Sequence, residues 1–499
     1  MEKKIDKVMK FSAYAWLMIP IVIFFAGFLK WYVALICLLL FGVSAYFVWK
    51  DKESFRPLEG MKYSWGPVLL IAAGIIVWVV LSGIGGFGYQ NWDLNFRNAI
   101  LHDLIDFDWP VYYDYSSQNI NHEIYGQTGA LAYYLTYYLP SALVGKVLGW
   151  QGANIFMLIW SVIGVTLVVY FMCRYVKKVT FFSIGFLIIF SGLDIIGYLL
   201  VNKDIPPLTR HIEWWATYFQ YSSTTSMLFY VFNQILPAWL VTMLIINQKS
   251  TKSMVFTYAL CFPFAPFPTL GLFPIVLWRC LFGTEKPTFR WEAIWKNIRN
   301  AITIQNILTP LLLLAVFGLY FSCTNVVAAQ SGPIWSFGYD MGNVFKKYIA
   351  LIVLEFLVYA VILFQDQKKN PLFYIAIVTM MILPVYKIGE NNDFVMRISV
   401  PFVLLLVVYA LQYFIRRIAE KKWLAAGILA VVLLIGAVTP FQEITRSVKY
   451  IVKDREHLVA DSYKTYAQLE GTEEIFQFYA INFVTNDPKE KIFFRYLAK

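Results

Sequence analysis

The sequence predicts an all-α polytopic membrane protein with about 13 transmembrane helices. Three observations lead there. The 499 residues are 59% hydrophobic and 15% charged, against roughly 25% charged in a soluble globular chain. The apolar runs are continuous and reach or approach the ~20 residues that cross a bilayer, unlike the alternating segments of a barrel. The basic residues gather in short connections between runs, the pattern of cytoplasmic loops. The net charge of +11 is therefore topological, and no nucleic-acid partner is expected. Cys37, Cys173, Cys261, Cys280 and Cys323 lie in or beside apolar runs with no CxxC pair, so neither a disulfide framework nor a metal site is implied.

The chain divides into a helical hairpin (1–63), a transmembrane core (64–440) and a polar tail (441–499). Met1–Lys10 carries four lysines and is placed in the cytoplasm. Phe11–Phe28 and Trp31–Trp49 form the hairpin, turning near Lys30. The first run flows into the second and reads as a retained helix, not a cleaved leader. Ser64–Gly83 then crosses outward, which puts residues 85–150 outside. Within that loop, Gly129–Leu148 is apolar but interrupted by Thr136, Pro140 and Lys146. If it crossed, the cluster Arg174, Lys177 and Lys178 would lie outside, against the positive-inside tendency. It is read instead as an amphipathic helix along the interface. Phe181–Val201 is read as one span. Further outer loops are expected at 202–225, 324–347 and 386–397. Met254–Phe282, broken by four prolines, is two short passes or a re-entrant pair. The odd count leaves the tail outside, where its ~60 residues are too few for an independent core and pack onto the outer loops.

Chemistry concentrates in Gly88–Pro110, the most polar stretch of the first half. Wound at 100° per residue, Asp93–Ile105 places Leu94, Arg97, Ile100, Leu101, Leu104 and Ile105 on one side. Asp93 opens that side. Asn95, Asn98, His102 and Asp106 fall opposite. A carboxylate and a guanidinium on an apolar stripe are costly unless they face a protein-lined cavity. The plainer alternative is that Asp93 caps the helix and pairs with Arg97. Asp194 is an acid inside an apolar run, either a functional group or one that snorkels into the outer loop or pairs with Arg210. Arg210, His211 and Glu213, beside Trp214 and Trp215, form either an interfacial belt or a holder for a lipid phosphate. Glu390, Asn391, Asn392, Asp393 and Arg397 fill the last outer loop. The paired donors of Arg397 suit a phosphate, and plain headgroup anchoring is the alternative. No GxGxxG, Walker, HExxH or GxSxG motif occurs, and no cytoplasmic segment is large enough to bind a nucleotide. A transferase of this kind would draw its donor from the membrane.

The first outer loop resembles that of the GT-C glycosyltransferases, in particular the bacterial relatives of protein mannosyltransferases and of the lipid A aminoarabinose transferase. The resemblance rests on Asp93, then NAILHDL (Asn98–Leu104), DWPV (Asp108–Val111), GALAYYL (Gly129–Leu135), VLGW (Val147–Trp150) and RYVKK (Arg174–Lys178). It covers roughly residues 85–178. Leu94 stands where those enzymes carry a second acid, the second interfacial helix lacks a Pro-Pro start, and two extra helices precede the usual first span. The resemblance implies a cell-membrane enzyme that transfers a sugar from a polyprenyl-phosphate donor to an extracytoplasmic acceptor with inversion, with no cofactor expected, since the relatives mostly need no metal, and a divalent cation left open. It implies Asp93 as base, Arg97, Arg210, His211 and Arg397 on the phosphate, and His102, Asp194 and Asp393 orienting acceptor or sugar. The rival readings are a lipid-linked-glycan transporter or flippase, with polar residues on broken helices, an envelope-glycan polymerase, and a non-catalytic assembly protein.

Overall fold

A computed structural model describes residues 2–51, 54–58, 61, 64–284, 287–324, 331–388, 393–453 and 464–499. The chain is mostly helical. Helices α1 (Glu2–Phe28) and α2 (Trp31–Lys50) form the hairpin, and α3 (Trp65–Leu81) follows. The first polar segment holds α4 (Trp92–Asp106), strand β1 (Tyr112–Asp114), the short α5 (His122–Tyr125) and β2 (Thr128–Leu131). Next come α6 (Leu139–Val176), α7 (Phe182–Ile189), α8 (Asp194–Asn202), α9 (Thr224–Asn247), α10 (Met254–Ala259), α11 (Pro266–Phe282), α12 (Trp291–Ala301) and α13 (Ile304–Phe321). The last third holds β3 (Ser331–Pro333), α14 (Met341–Ile352), α15 (Val358–Gln367), α16 (Pro371–Ile382), β4 (Tyr386–Ile388), α17 (Asp393–Ala419), α18 (Trp423–Gly436), α19 (Val438–Lys453), α20 (Glu474–Ala480) and β5 (Val484–Asn486).

Among the described residues, eight helical stretches are long and apolar enough to cross a membrane, and the bent pair α18–α19 makes a ninth. Two of them form the centre. The most apolar window is 94% buried in α9 and 89% buried in α17, against 22% in α2. The most enclosed helix is not the most apolar one: α9 carries Asn233, Gln234, Thr242 and Asn247, polar side chains that belong in the bundle interior and not against lipid, whereas the more apolar α2 keeps most of its surface outward. Charged side chains fasten the two ends of the bundle. At one end Asp6 of α1 accepts from Arg174 Nε of α6 at 2.8 Å and pairs with Lys10 at 2.6 Å. Arg174 Nη1 also donates to Asn247 Oδ1 of α9 at 3.1 Å. At the other end Lys30 Nζ donates to the carbonyls of Arg495 and Tyr496, each at 3.1 Å. The amino-terminal lysines and the basic close of α6 therefore share one face, and the last residues lie at the opposite end of α1.

Two expectations need correction. Gly129–Leu148 is not one interfacial helix. Its first residues are β2, which pairs antiparallel with β1 (Tyr112↔Ala130) and with β5 near the end of the chain (Ala130↔Thr485). Gly129 fits only because it has no side chain, since a Cβ there would come within 2.7 Å of the Tyr115 ring and 2.9 Å of Val484. Only Leu139 onward is helical, and α6 turns sharply at Gly149 (φ 72, ψ −171) before continuing as the span. That conformation is open to glycine alone. Nor is Phe181–Val201 a continuous helix. It breaks between Ile189 and Asp194, so Asp194 opens α8 and does not sit within a helix.

The break is closed against a π-helical turn, Val353–Leu357, which joins α14 to α15 and carries Glu355. Gly192 allows the approach, because a Cβ there would lie 1.9 Å from Glu355 Oε2 and 2.8 Å from its Cα. Gly192→Ala is expected to force the two elements apart and to destabilise the protein by about 1–3 kcal/mol, read as a lower midpoint of thermal unfolding in detergent. An unchanged midpoint would mean that the break is not tightly packed.

Candidate functional site

Helix α4 packs against α6 and is tied to α9 by the side chains of Asn91 and Arg97, and its apolar stripe buries Leu94, Ile100, Leu101 and Leu104. Arg97 is on that stripe and only 5% exposed. Its Nη1 donates to Asn233 Oδ1 of α9 at 3.0 Å. α9 departs from helical geometry at Val231 (φ −136, ψ 36), two residues earlier. Asp93 sits half-buried one turn before Arg97. Neither part of its plainer reading holds. The helix cap is Asn91, without a side-chain bond, and Asp93 makes no hydrogen bond or ion pair among the described residues.

Four charges act on Asp93, those of Arg97, Asp393, Arg397 and His211. Four positions marked in the sequence as phosphate-holding or orienting thus converge on the marked acid, from α4, α17 and the loop after α8. Burial raises the Asp93 carboxyl above its ordinary value of 3.8, with Arg97 opposing. Arg397 is tied by Nη2 to Asp393 Oδ2 at 2.6 Å, so Asp393 orients the guanidinium. Tyr133, just past β2, lies within electrostatic reach of Arg97 and Arg397, and its hydroxyl accepts from Gln234 Nε2 at 3.5 Å. Three buried donors in this cluster lack an acceptor among the described residues: Arg97 Nε, Arg397 Nε and Asn233 Nδ2. Unsatisfied buried donors are costly, and two guanidiniums with an amide match the oxygens of a phosphate. Glu390, Asn391 and Asn392 lie outside the described residues.

His211 owes its place to two acids. Its Nδ1 lies 2.8 Å from Glu443 Oε1 of α19, and its Nε2 lies 3.8 Å from Glu213 Oε2. Burial alone would push the imidazole down. The hydrogen bond to Glu443 and the charges of Glu213 and Glu443 outweigh it and raise the pKa above the ordinary 6.5. Arg446 pairs with the other oxygen of Glu443, as does Tyr230 OH at 3.3 Å. No family model, curated protein or solved structure matches the chain. The site's chemistry is therefore read from its own geometry.

Three marked residues lie apart from Asp93. Arg210 is exposed, with its guanidinium over the Tyr198 ring at 5.5 Å. It does not pair with Asp194. His102 stands nine residues after Asp93 on the same helix, about two and a half turns on and so on the opposite face, with Nε2 3.0 Å from Asp106. Asp194 belongs to a second, deeper group. It accepts from Ser191 Oγ and Thr439 Oγ1 at 2.8 Å and shares the Trp215 Nε1 proton with Glu355, each oxygen 3.2 Å from the nitrogen. Sequence reasoning missed Glu355, although an acid in an apolar run is its own signal. It also missed Asn233 with Gln234, a polar pair within a span. Glu443 and Arg446 carried a weaker mark, a glutamate and an arginine three apart on an amphipathic tail helix.

The pH dependence follows from signs. His211 is raised, so the stability it adds is complete below about 6.5 and is lost as pH rises through the higher folded value. Asp93 and Glu213 are also raised, both by burial first, so ionising them costs stability as pH rises above their ordinary values of 3.8 and 4.5. The unfolding midpoint is expected to fall with rising pH from about 4, with the His211 part of the fall above about 6.5. Glu443→Gln should move that fall to lower pH by weakening the hold on the imidazolium beside Glu213, Arg446 and Tyr230. Histidine NMR on the two proteins checks it, and identical His211 titrations would contradict it.

Proposed function

We propose that the protein is a membrane glycosyltransferase that moves a sugar from a polyprenyl-phosphate donor to an acceptor on the outer face of the cell membrane. The observation that carries this reading is one half-buried carboxylate beside two arginines whose buried Nε donors have no acceptor among the described residues. The resemblance of the first outer loop to the GT-C enzymes supports it. Asp93 takes the proton of the acceptor hydroxyl, and the hydroxyl oxygen attacks the anomeric carbon. The bond from that carbon to the phosphate oxygen breaks, and its electron pair leaves on the lipid phosphate. Arg97 and Arg397 meet the charge that develops there, with His211 as a third cation. A carboxyl held above its ordinary value is a better base near neutral pH.

The finer architecture belongs to the same proposal. Counting α10 with the turn after it as a short pass, and the three shorter apolar helices as spans, gives 13 passes. The amino terminus is then cytoplasmic and the tail extracytoplasmic. A transporter for the same lipid-linked glycan is the second reading, and one observation favours it. Asp194, Glu355 and Glu213 are buried where the break before α8, the π-helical turn and the bend before α19 meet, an arrangement used in alternating access.

Asp93→Asn separates the two. In membranes supplied with lipid-linked sugar, transfer should fall by about 10²-fold or more at unchanged expression. Full activity removes Asp93 from the chemistry. Flipping of the donor without any release of lipid phosphate in the unaltered protein establishes the transporter. Arg97→Lys and Arg397→Lys should each raise the KM for the lipid-phosphate donor by about tenfold, because a lysine cannot present paired donors. Unaltered KM values in both would take the phosphate away from these residues.

A further inference from the structure

A cavity of about 540 Å³ opens beside the end of the chain, away from Asp93. Its walls include Lys30, Lys489, Arg495 and Lys499, with Tyr112 and Phe494 between them, and no acidic side chain lines it. None of the four cations pairs with a carboxylate side chain among the described residues. Two are fixed by backbone oxygens instead. Lys30 Nζ donates to the Arg495 and Tyr496 carbonyls at 3.1 Å, and Lys499 Nζ donates to Ala26 O at 2.9 Å. Tyr112 is 42% exposed, and its ring packs edge-on against Phe494 at 5.8 Å. The concave wall therefore combines four cationic side chains, two of them held in place, with an aromatic surface, and the Tyr112 hydroxyl donates to the Lys499 main-chain oxygen at 3.1 Å.

We infer that this cavity binds an acidic carbohydrate. Its size falls in the roughly 300–1,000 Å³ range of sites for organic ligands and exceeds what a lone phosphate would fill. The cations suit carboxylate or phosphate groups carried by the sugars, and the tyrosine offers an apolar face for a sugar ring. Thr128 and Gly129 of β2 form part of the wall, and the chain runs from there to Tyr133 at the Asp93 cluster. At about 3.3 Å per residue the path from Thr128 to Tyr133 covers at most roughly 15 Å. A bound chain of several sugar units spans that distance, so the cavity would hold the body of an anionic acceptor while its end reaches Asp93. That role rests on the transferase reading, whereas the binding itself does not.

The test is calorimetric titration of the full chain in nanodiscs at moderate salt. The probes are hexagalacturonate, the neutral maltohexaose and inorganic phosphate. Hexagalacturonate should bind at least about tenfold more tightly than either control. The double variant Lys489→Glu, Arg495→Glu, at two exposed positions, should weaken it by a further tenfold or so, and Tyr112→Ala should weaken both hexasaccharides. Arg97→Ala should leave hexagalacturonate affinity unchanged even where transfer is lost, which separates this site from the Asp93 cluster. The inference is overturned if maltohexaose or phosphate matches hexagalacturonate, if the charge reversal changes nothing, if Arg97→Ala abolishes binding, or if no binding appears up to about 10 mM.

Discussion

Arg97 is the constraint around which the first polar segment is arranged. A guanidinium cannot shed its charge in a protein, so burying it under α4 obliges the neighbouring elements to supply acceptors. The bond to Asn233 answers part of that demand and fastens the surface helix to α9, the most enclosed span of the bundle. Once α4 is held there, Asp93 is drawn to the same place one turn earlier, and burial raises its carboxyl. Arg397 arrives from the start of α17, the other central helix, oriented by its own aspartate. The candidate site is thus built where the two most buried helices reach the polar surface.

The second organising feature is the return of the tail to the first polar segment. β5 adds to the edge of β2, and Asp103 of α4, fully buried, accepts from Tyr113 OH at 2.7 Å and from the Tyr466 backbone at 2.9 Å. Thr465 completes its partners. Glu443 of α19 reaches back to His211. About sixty residues with no core of their own gain stability from surfaces the membrane bundle presents, and in return hold α4 and the histidine in place. The same return creates the cation-lined cavity between the hairpin turn and the last residues.

Much of this was legible in the sequence. Composition and run length identified a many-pass helical protein, and charge placement put the close of α6 on the face of the amino-terminal lysines, where Arg174 meets Asp6. Asp93, Arg97, His211, Asp393 and Arg397 were each marked by an ionisable group at the edge of an apolar run. What misled was locality. Arg210 and His102 carry the same kind of mark, and only their loop path and helix face separate them from the cluster. GALAYYL reads as helix because only its first three residues are strand and one of their two partners, β5, lies more than three hundred residues away.

The sequence by itself determined the membrane class, the order of apolar runs and the handful of charges that had to be accounted for, because hydrophobic burial and charge desolvation act on each residue locally. The tertiary structure alone decided which of those charges face one another. Convergence on Asp93 depends on the packing of α4 against α6 and its side-chain bonds to α9, on the entry of α17, and on a tail helix that reaches His211 across two hundred and thirty-two positions. Distances of that kind are set by how helices pack, and no periodicity within a single run encodes them.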